Sequence, residues 1–263
     1  MRALTTAGTG MVAQQYNLDT IANNLANVNT NAFKQQRAEF QDLMYQVFRA
    51  SGAPSGNTKQ PIAMQIGLGS KLASTVSNMS VGALQATGNP IDMAINGEGF
   101  FVVIRPDGTQ AYTRDGAFKL SAEGTNGVLV TADGFSLDPR IEVPQGVRSL
   151  SISGSGQVSG VLPGNDEPQV IGELRIAMFA NPGGLTRVGQ NLFTAGGASG
   201  EATLVTPGEQ GSGLIQAGFV EGSNVQIVEE MVRLILAQRA YEINSKAIQT
   251  ADDMLGMLNN LKR

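Results

Sequence analysis

The sequence predicts an α+β chain: two terminal helices pair as a discontinuous coiled-coil stem around an antiparallel β-rich middle that carries an irregular extended arm. Three observations carry this reading. Apolar residues recur every three or four positions at both ends. The stretch between them is broken into short apolar runs separated by Gly, Asp and Asn. No helix-period segment alternates with those runs, as a parallel sheet would require.

At the N-terminal end, Leu4, Ala7, Met11, Gln14, Leu18, Ile21, Leu25 and Val28 keep an unbroken heptad-like spacing, and only Gln14 is polar. Side chains at that spacing stack along one helix face. The C-terminal end repeats the device in Leu234, Ala237, Tyr241, Asn244, Ile248, Ala251, Leu255 and Leu258, with Asn244 as its polar member. A polar residue on such a seam either sets register, because a slipped pairing buries an unmet amide, or turns to solvent as the helix drifts from a strict heptad. Antiparallel pairing of the two ends would bring Gln14 and Asn244 near each other. The expected division is therefore 1–45 with 222–263 as the helical assembly stem, 46–78 as arm and linker, and 79–221 as the β domain.

Within the middle, candidate strands are Phe100–Arg105, Ala111–Arg114, Gly127–Thr131, Ile141–Val143, Ser149–Ser153, Ile171–Phe179, Gly189–Thr194 and Leu214–Val220. Pro106-Asp107-Gly108, Asp115-Gly116 and Asp133-Gly134 supply turn signals, since Gly tolerates the positive φ that tight hairpins demand. Ala50–Gly69 carries Pro54 and Pro61 and few aromatics, and it reads as a long irregular arm.

Composition narrows function by exclusion. The chain of 263 residues has no His, Cys or Trp. That removes Ser–His–Asp and Cys–His catalysis, disulfides and every Cys/His zinc site. A net charge of −4 with a pI near 5.0 argues against nucleic acid or an anionic membrane as partner. No apolar stretch approaches the ~18 residues that span a bilayer, and Thr5, Thr6, Thr9, Gln14 and Gln15 interrupt any signal-peptide core. Charged residues make up 15% of the chain, so little like-charge repulsion keeps copies apart, and self-association is expected.

Enzyme motifs are poor. Gly97-Glu98-Gly99 lacks the third glycine of a dinucleotide fingerprint and precedes a strand, and Gly154, Gly156 and Gly160 miss that spacing. Asp107, Asp115, Asp133 and Asp138 lie in or beside turns, where Asp caps backbone amides for local reasons. Asp252-Asp253 sits in a helix pattern without the glycine of a calcium loop. No catalytic, cofactor-binding or metal-ligating residue is assigned, and no cofactor is expected.

Longer runs at both ends are more specific. Ile21-Ala22-Asn23-Asn24-Leu25-Ala26-Asn27-Val28-Asn29-Thr30-Asn31-Ala32-Phe33-Lys34 resembles the N-terminal signature of bacterial flagellar rod and hook proteins. Glu221-Gly222-Ser223-Asn224-Val225 and Gln238-Arg239-Ala240-Tyr241-Glu242-Ile243-Asn244-Ser245-Lys246 resemble that family's other signature. Gly97-Glu98-Gly99-Phe100-Phe101 and Tyr112-Thr113-Arg114-Asp115-Gly116 extend the likeness through the middle. Tyr45–Arg49 through Gln65–Gly69 is similar to the segment that marks members from the distal rod.

The resemblance implies a structural subunit of the basal body with no catalysis. Its copies would assemble helically into a hollow drive shaft crossing the periplasm, with the terminal helices inside. Implied partners are the chain itself, the proximal rod and hook axial proteins, the ring (bushing) proteins, and a type III export apparatus that needs no cleaved signal peptide. The competing expectation is an exported β-rich binding protein, an adhesin or peptidoglycan-binding module. The family commonly carries Gly where this chain has Ala32. Ordinary helix or extended backbone is expected there, because Ala is strained at positive φ.

Overall fold

The computed structural model describes residues 2–49, 54–55, 58–59, 62–123, 126–162 and 167–261. The chain divides into two compact units: residues 1–26, 36–77 and 226–263 form one, and residues 27–35 and 78–225 form the other.

The first unit holds both long helices, α1 (Arg2–Ala26) and α2 (Ile227–Leu261). The heptad-like spacing explains why both ends are helical. Asn-rich sequence after Ala26 ends α1, where the Thr30 hydroxyl donates to Asn27 Oδ1 at 3.1 Å and its amide to the Asn27 carbonyl at 3.2 Å. Glu229 and Glu230 sit in the first turn of α2, where negative charge complements the helix dipole. The helices run antiparallel: Gly10 lies under the Asn244 amide, while Asn24 bonds Glu230. Gly10 permits that approach, because a Cβ there would stand 2.9 Å from Asn244 Nδ2.

Two antiparallel ribbons complete this unit. Gln36–Asp42 pairs with Ser70–Ser77, and Tyr45–Arg49 pairs with Met64–Gly67. The expected arm over 46–78 is thus regular in much of its described length. Alternating β-branched and aromatic residues favour strand pairing there. Residues 50–53, 56–57 and 60–61, at its centre, lie outside the described residues.

The second unit is antiparallel β structure. Among the described residues its largest sheet has ten strands, centred on Phe100–Ile104. That strand pairs with Gln110–Thr113 along its length, with Ser136–Leu137 near its end and with Ile176–Met178 at its start. A strand's side chains alternate between faces, and here both faces are buried. Phe101 and Val103 join a core with Met93, Phe118, Leu129, Ile141 and Ile176. Phe100 and Val102 pack opposite, with Tyr112, Phe179 and Phe193. Edge-on ring contacts bind each layer, at 5.2 Å between Phe101 and Phe118 and 5.8 Å between Phe100 and Phe179.

Several expected strands are divided. Ile171–Phe179 splits into Gln169–Glu173 and Ile176–Met178, which belong to different sheets. Leu214–Val220 breaks at Gly218, whose φ is +80°, leaving Leu214–Ala217 and Phe219–Glu221 on different partners. Of Gly189–Thr194, Leu192–Thr194 is a strand as expected, while Gly189, Gln190 and Asn191 form the hairpin turn before it, all in left-handed backbone.

Gly116 also differs from its expected part in a positive-φ turn. A Cβ there would fall 1.4 Å from the Met93 carbonyl oxygen, so glycine is required for close approach. Ala32 overturns the expectation of ordinary backbone. It lies at φ +55°, buried, and its N–H donates to the Glu221 carbonyl at 2.7 Å. That hydrogen bond holds a conformation Ala disfavours.

These two positions give opposite expectations. Ala32→Gly raises stability by up to about 1 kcal/mol, since relief of left-handed strain exceeds the chain entropy that Gly adds. Gly116→Ala lowers it by about 3 kcal/mol or more, because backbone must move. Hydrogen exchange at the buried amides of Phe101–Val103 in the full chain measures both.

Candidate functional site

The helix unit places the predicted seams as follows. Ile21 is buried, and Leu4, Ala7, Met11, Gln14, Leu18 and Leu25 are half-buried. Val28 lies past the end of α1, in the second unit. On α2, Ala237 and Ala251 are buried and Leu234, Asn244, Ile248 and Leu255 half-buried, while Tyr241 is 41% exposed. The Leu258 side chain lies outside the described residues. Asn244 sits over Gly10, about one helical turn along from Gln14. Gln14 Oε1 meets Asn17 Nδ2 at 3.5 Å.

A polar lock that the seam pattern did not single out lies at the other end. Asn24 Nδ2 donates to the Gln36 carbonyl at 2.8 Å and to Glu230 Oε2 at 3.1 Å, while Asn24 Oδ1 accepts from the Gln36 N–H at 2.9 Å. Glu230 is fully buried and also accepts from Arg233 at 3.2 Å. One amide thus ties α1, α2 and the first ribbon together. Asn24 belongs to the N-terminal family run; Glu230 falls outside both signature runs.

Away from α1, the first turns of α2 and its last ones also expose apolar residues. Val228, Met231, Val232, Ile235, Leu236, Ile243, Met254 and Met257 are all more than half exposed, Val228 at 74%. At about 3.6 residues per turn Val228, Val232, Ile235 and Met257 lie across the helix from Ala237, Ile248 and Ala251, and between them the same side carries Arg239, Glu242 and Lys246. A groove of about 460 Å³ is lined by Gln14, Ile21, Phe40, Arg233 and Ala240 among others. Most of the C-terminal family run, including Gln238, Arg239, Glu242 and Lys246, faces water; Arg239 pairs with Glu242 at 3.3 Å.

The β unit carries a buried ion cluster. Lys34 and Glu221 are fully buried and paired, and Arg114 Nε donates to the second Glu221 oxygen at 2.8 Å. Arg114 also caps three carbonyls, those of Gly99, Ile95 and Gly97, at 2.8–2.9 Å. Lys34 donates to the Ser80 carbonyl at 2.7 Å, and Glu221 accepts from the Gly82 N–H at 2.8 Å. Arg187 donates to the Lys34 carbonyl and stacks between Phe33 and Phe193 at 5.0 and 5.5 Å. Asn224 closes the same region, accepting from the Gln35 N–H at 2.7 Å and donating to the Asn78 carbonyl at 2.9 Å.

Lys34, Glu221 and Arg114 stand in the family runs. What reveals their role is a lone charge beside an apolar run, as in Phe219-Val220-Glu221.

Charge does not balance here. The Lys34 ammonium is held below the ordinary lysine range, chiefly by burial; Glu221 opposes the shift, and Arg114 and Arg187 add to it. The attraction of Glu221, shared with Arg114, does not offset desolvation of the ammonium.

The turn carboxylates do local work. Asp107 Oδ1 accepts from the Thr109 N–H at 2.9 Å, and Asp115 accepts from the Ala117 N–H at 3.1 Å and the Asn191 amide at 2.9 Å. Asp138 accepts from Gln110 at 2.8 Å, and Asp133 lines a cavity of about 100 Å³ beside Asp115. Among the described residues no group of three or more acidic side chains is placed to hold a metal ion, and no helix is long and apolar enough to cross a membrane.

Three family descriptions match this chain: "Flagella basal body rod protein" over residues 4–34, "Flagellar hook protein FlgE/F/G D1 domain" over 94–160, and "Flagellar basal body rod FlgEFG protein C-terminal" over 216–261. A protein of Borreliella burgdorferi named flagellar basal-body rod protein FlgG is 50% identical, over 100% of this chain and 99% of its own length. The chain belongs to the flagellar rod and hook protein family. Proteins of the same name from Caulobacter vibrioides and Bacillus subtilis are 45% and 40% identical, each over 100% of both chains. The first match contains Asn24 and Lys34, and the third contains Glu221 and Glu230.

The charge imbalance sets an asymmetry. Glu221→Gln strands two buried cations and costs about 3–5 kcal/mol. Lys34→Met leaves Arg114 and Glu221 as a neutral pair and costs at most about 2 kcal/mol, mainly the lost hydrogen bonds. The lysine's folded value lies below its unfolded one, so its contribution is fully present above the ordinary lysine range and is lost as pH falls through the folded value. Burial, with Asp138, raises the Tyr112 phenol and gives the opposite slope. Denaturant unfolding of wild type and Lys34→Met across alkaline pH therefore isolates the lysine: their difference in stability widens in favour of wild type as pH rises.

Proposed function

We propose that this chain is a non-catalytic structural subunit that self-assembles helically into the rod of the bacterial flagellar basal body. One observation carries the reading: α1 packs on one side of α2, while the first turns of α2 leave Val228, Met231, Val232, Ile235 and Leu236 exposed. An exposed apolar cluster from Val228 to Leu236 is unfavourable for a chain that stays alone in water, and a neighbouring copy would cover it. The relatives' names support a place in the rod, and the exposed apolar residues of α2 support contact between copies.

The finer assignments are part of the same proposal. The seam residues of α1 and α2 form a coiled-coil stem whose copies pack side by side inside the tube. The segment 46–78, with exposed Met44 and Tyr45 at its root and Met64 on its return strand, reaches a neighbouring subunit of the distal rod. Proximal rod and hook axial proteins lie at the ends, ring proteins outside, and the chain arrives across the periplasm by a type III export apparatus without a cleaved signal peptide. Contacts between copies that do not close on themselves build a filament.

Val232→Glu with Ile235→Glu tests the reading, because both side chains are already in water and the substitution leaves the α1–α2 packing alone. The variant keeps the wild-type helix content by circular dichroism yet stays monomeric in sedimentation at concentrations where the wild-type chain forms tubes by electron microscopy. Tubes formed as readily by the doubly charged chain, or a wild-type chain that stays monomeric throughout, would overturn the proposal.

A further inference from the structure

The last residues of the β unit complete segments that lie far earlier in the chain. Leu214–Ala217 pairs with Met93–Asn96, and Phe219–Glu221 pairs with Leu84–Ala86. Glu221 meets Lys34 across 187 residues of sequence and Arg114 across 107. Its carbonyl receives the Ala32 N–H, and Asn224 receives the Gln35 N–H. Arg114's other partners are backbone carbonyls, which carry no net charge. A unit folded without its final strand would bury two cations without a counter-ion, and that state is strongly disfavoured.

We propose that Glu221 is a completion checkpoint: the β unit closes only when its C-terminal strand is present. A chain delivered N-terminus first, as far as residue 213, has Phe100–Ile104 and its neighbours in hand but not the carboxylate that lets Lys34 and Arg114 enter the interior. Its central strands then wait for the end of the chain. The device keeps a partly delivered subunit open, and it makes closing the longest loop part of the rate-limiting step.

Pulse-labelled hydrogen exchange during refolding of the full chain tests this. The amides of Phe101–Val103 and of Val220 gain protection in one phase, with rate constants within about twofold of each other. Glu221→Gln slows both together by about tenfold or more.

If that variant does not fold, Glu221→Gln combined with Lys34→Met decides the matter. Removing one stranded cation restores folding if buried charge is the barrier, and a double variant as unfolded as the single one overturns the proposal. Wild-type protection of Phe101–Val103 about tenfold or more ahead of Val220 overturns it as well. So does a Glu221→Gln chain that refolds at the wild-type rate.

Discussion

Two fully buried cations lean on one carboxylate, and the β unit is arranged to make that arrangement tolerable. Arg114 is cupped by three carbonyls, Lys34 is capped by a fourth, and Arg187 stays partly desolvated between two phenyl rings close by. Burying ions stabilises little in itself, since desolvation offsets the attraction between them. What the cluster supplies is selectivity among arrangements. Residues 27–35, 78–82 and 219–225 have one mutual placement that makes these hydrogen bonds together, and the apolar layers on either side of Phe100–Ile104 have none of that directional preference.

The helix unit solves a different problem with similar means. Its seam is narrow, so apolar contact alone allows the helices to slide by a turn at small loss. Asn24, bonded at once to a ribbon backbone and to Glu230, removes that freedom. The first turns of α2, around Glu230, leave Val228, Met231, Val232, Ile235 and Leu236 exposed. Two of the three family descriptions that match this chain fall on its ends, over residues 4–34 and 216–261.

Much of this was legible in the sequence, and what was not has identifiable causes. Heptad-like spacing announces helices because side-chain period and helix pitch match, and the apolar run Phe100–Arg105 announces a strand. Strand breaks at Gly218 and between Glu173 and Ile176 were invisible, since an apolar run reads the same whether it stays in one sheet or changes partners. Gly116 looked like a hinge of positive φ, whereas the neighbouring Met93 carbonyl is what demands it. Ala32 concealed a left-handed residue because the hydrogen bond holding it comes from Glu221, far away in sequence. The polar seam residues Gln14 and Asn244 drew attention for register, while the buried lock formed at Asn24, whose partners only the tertiary fold brings near.

Asn24 shows how chemical ageing would read in such a structure. Its amide both donates and accepts, a pairing that a carboxylate cannot reproduce. Loss of the amide nitrogen by slow hydrolysis would replace two donated hydrogen bonds with a negative charge facing the Gln36 carbonyl and the buried Glu230 carboxylate. Neither neighbour can answer it. A single lost nitrogen at Asn24 would thus loosen the tie between α1, α2 and the first ribbon.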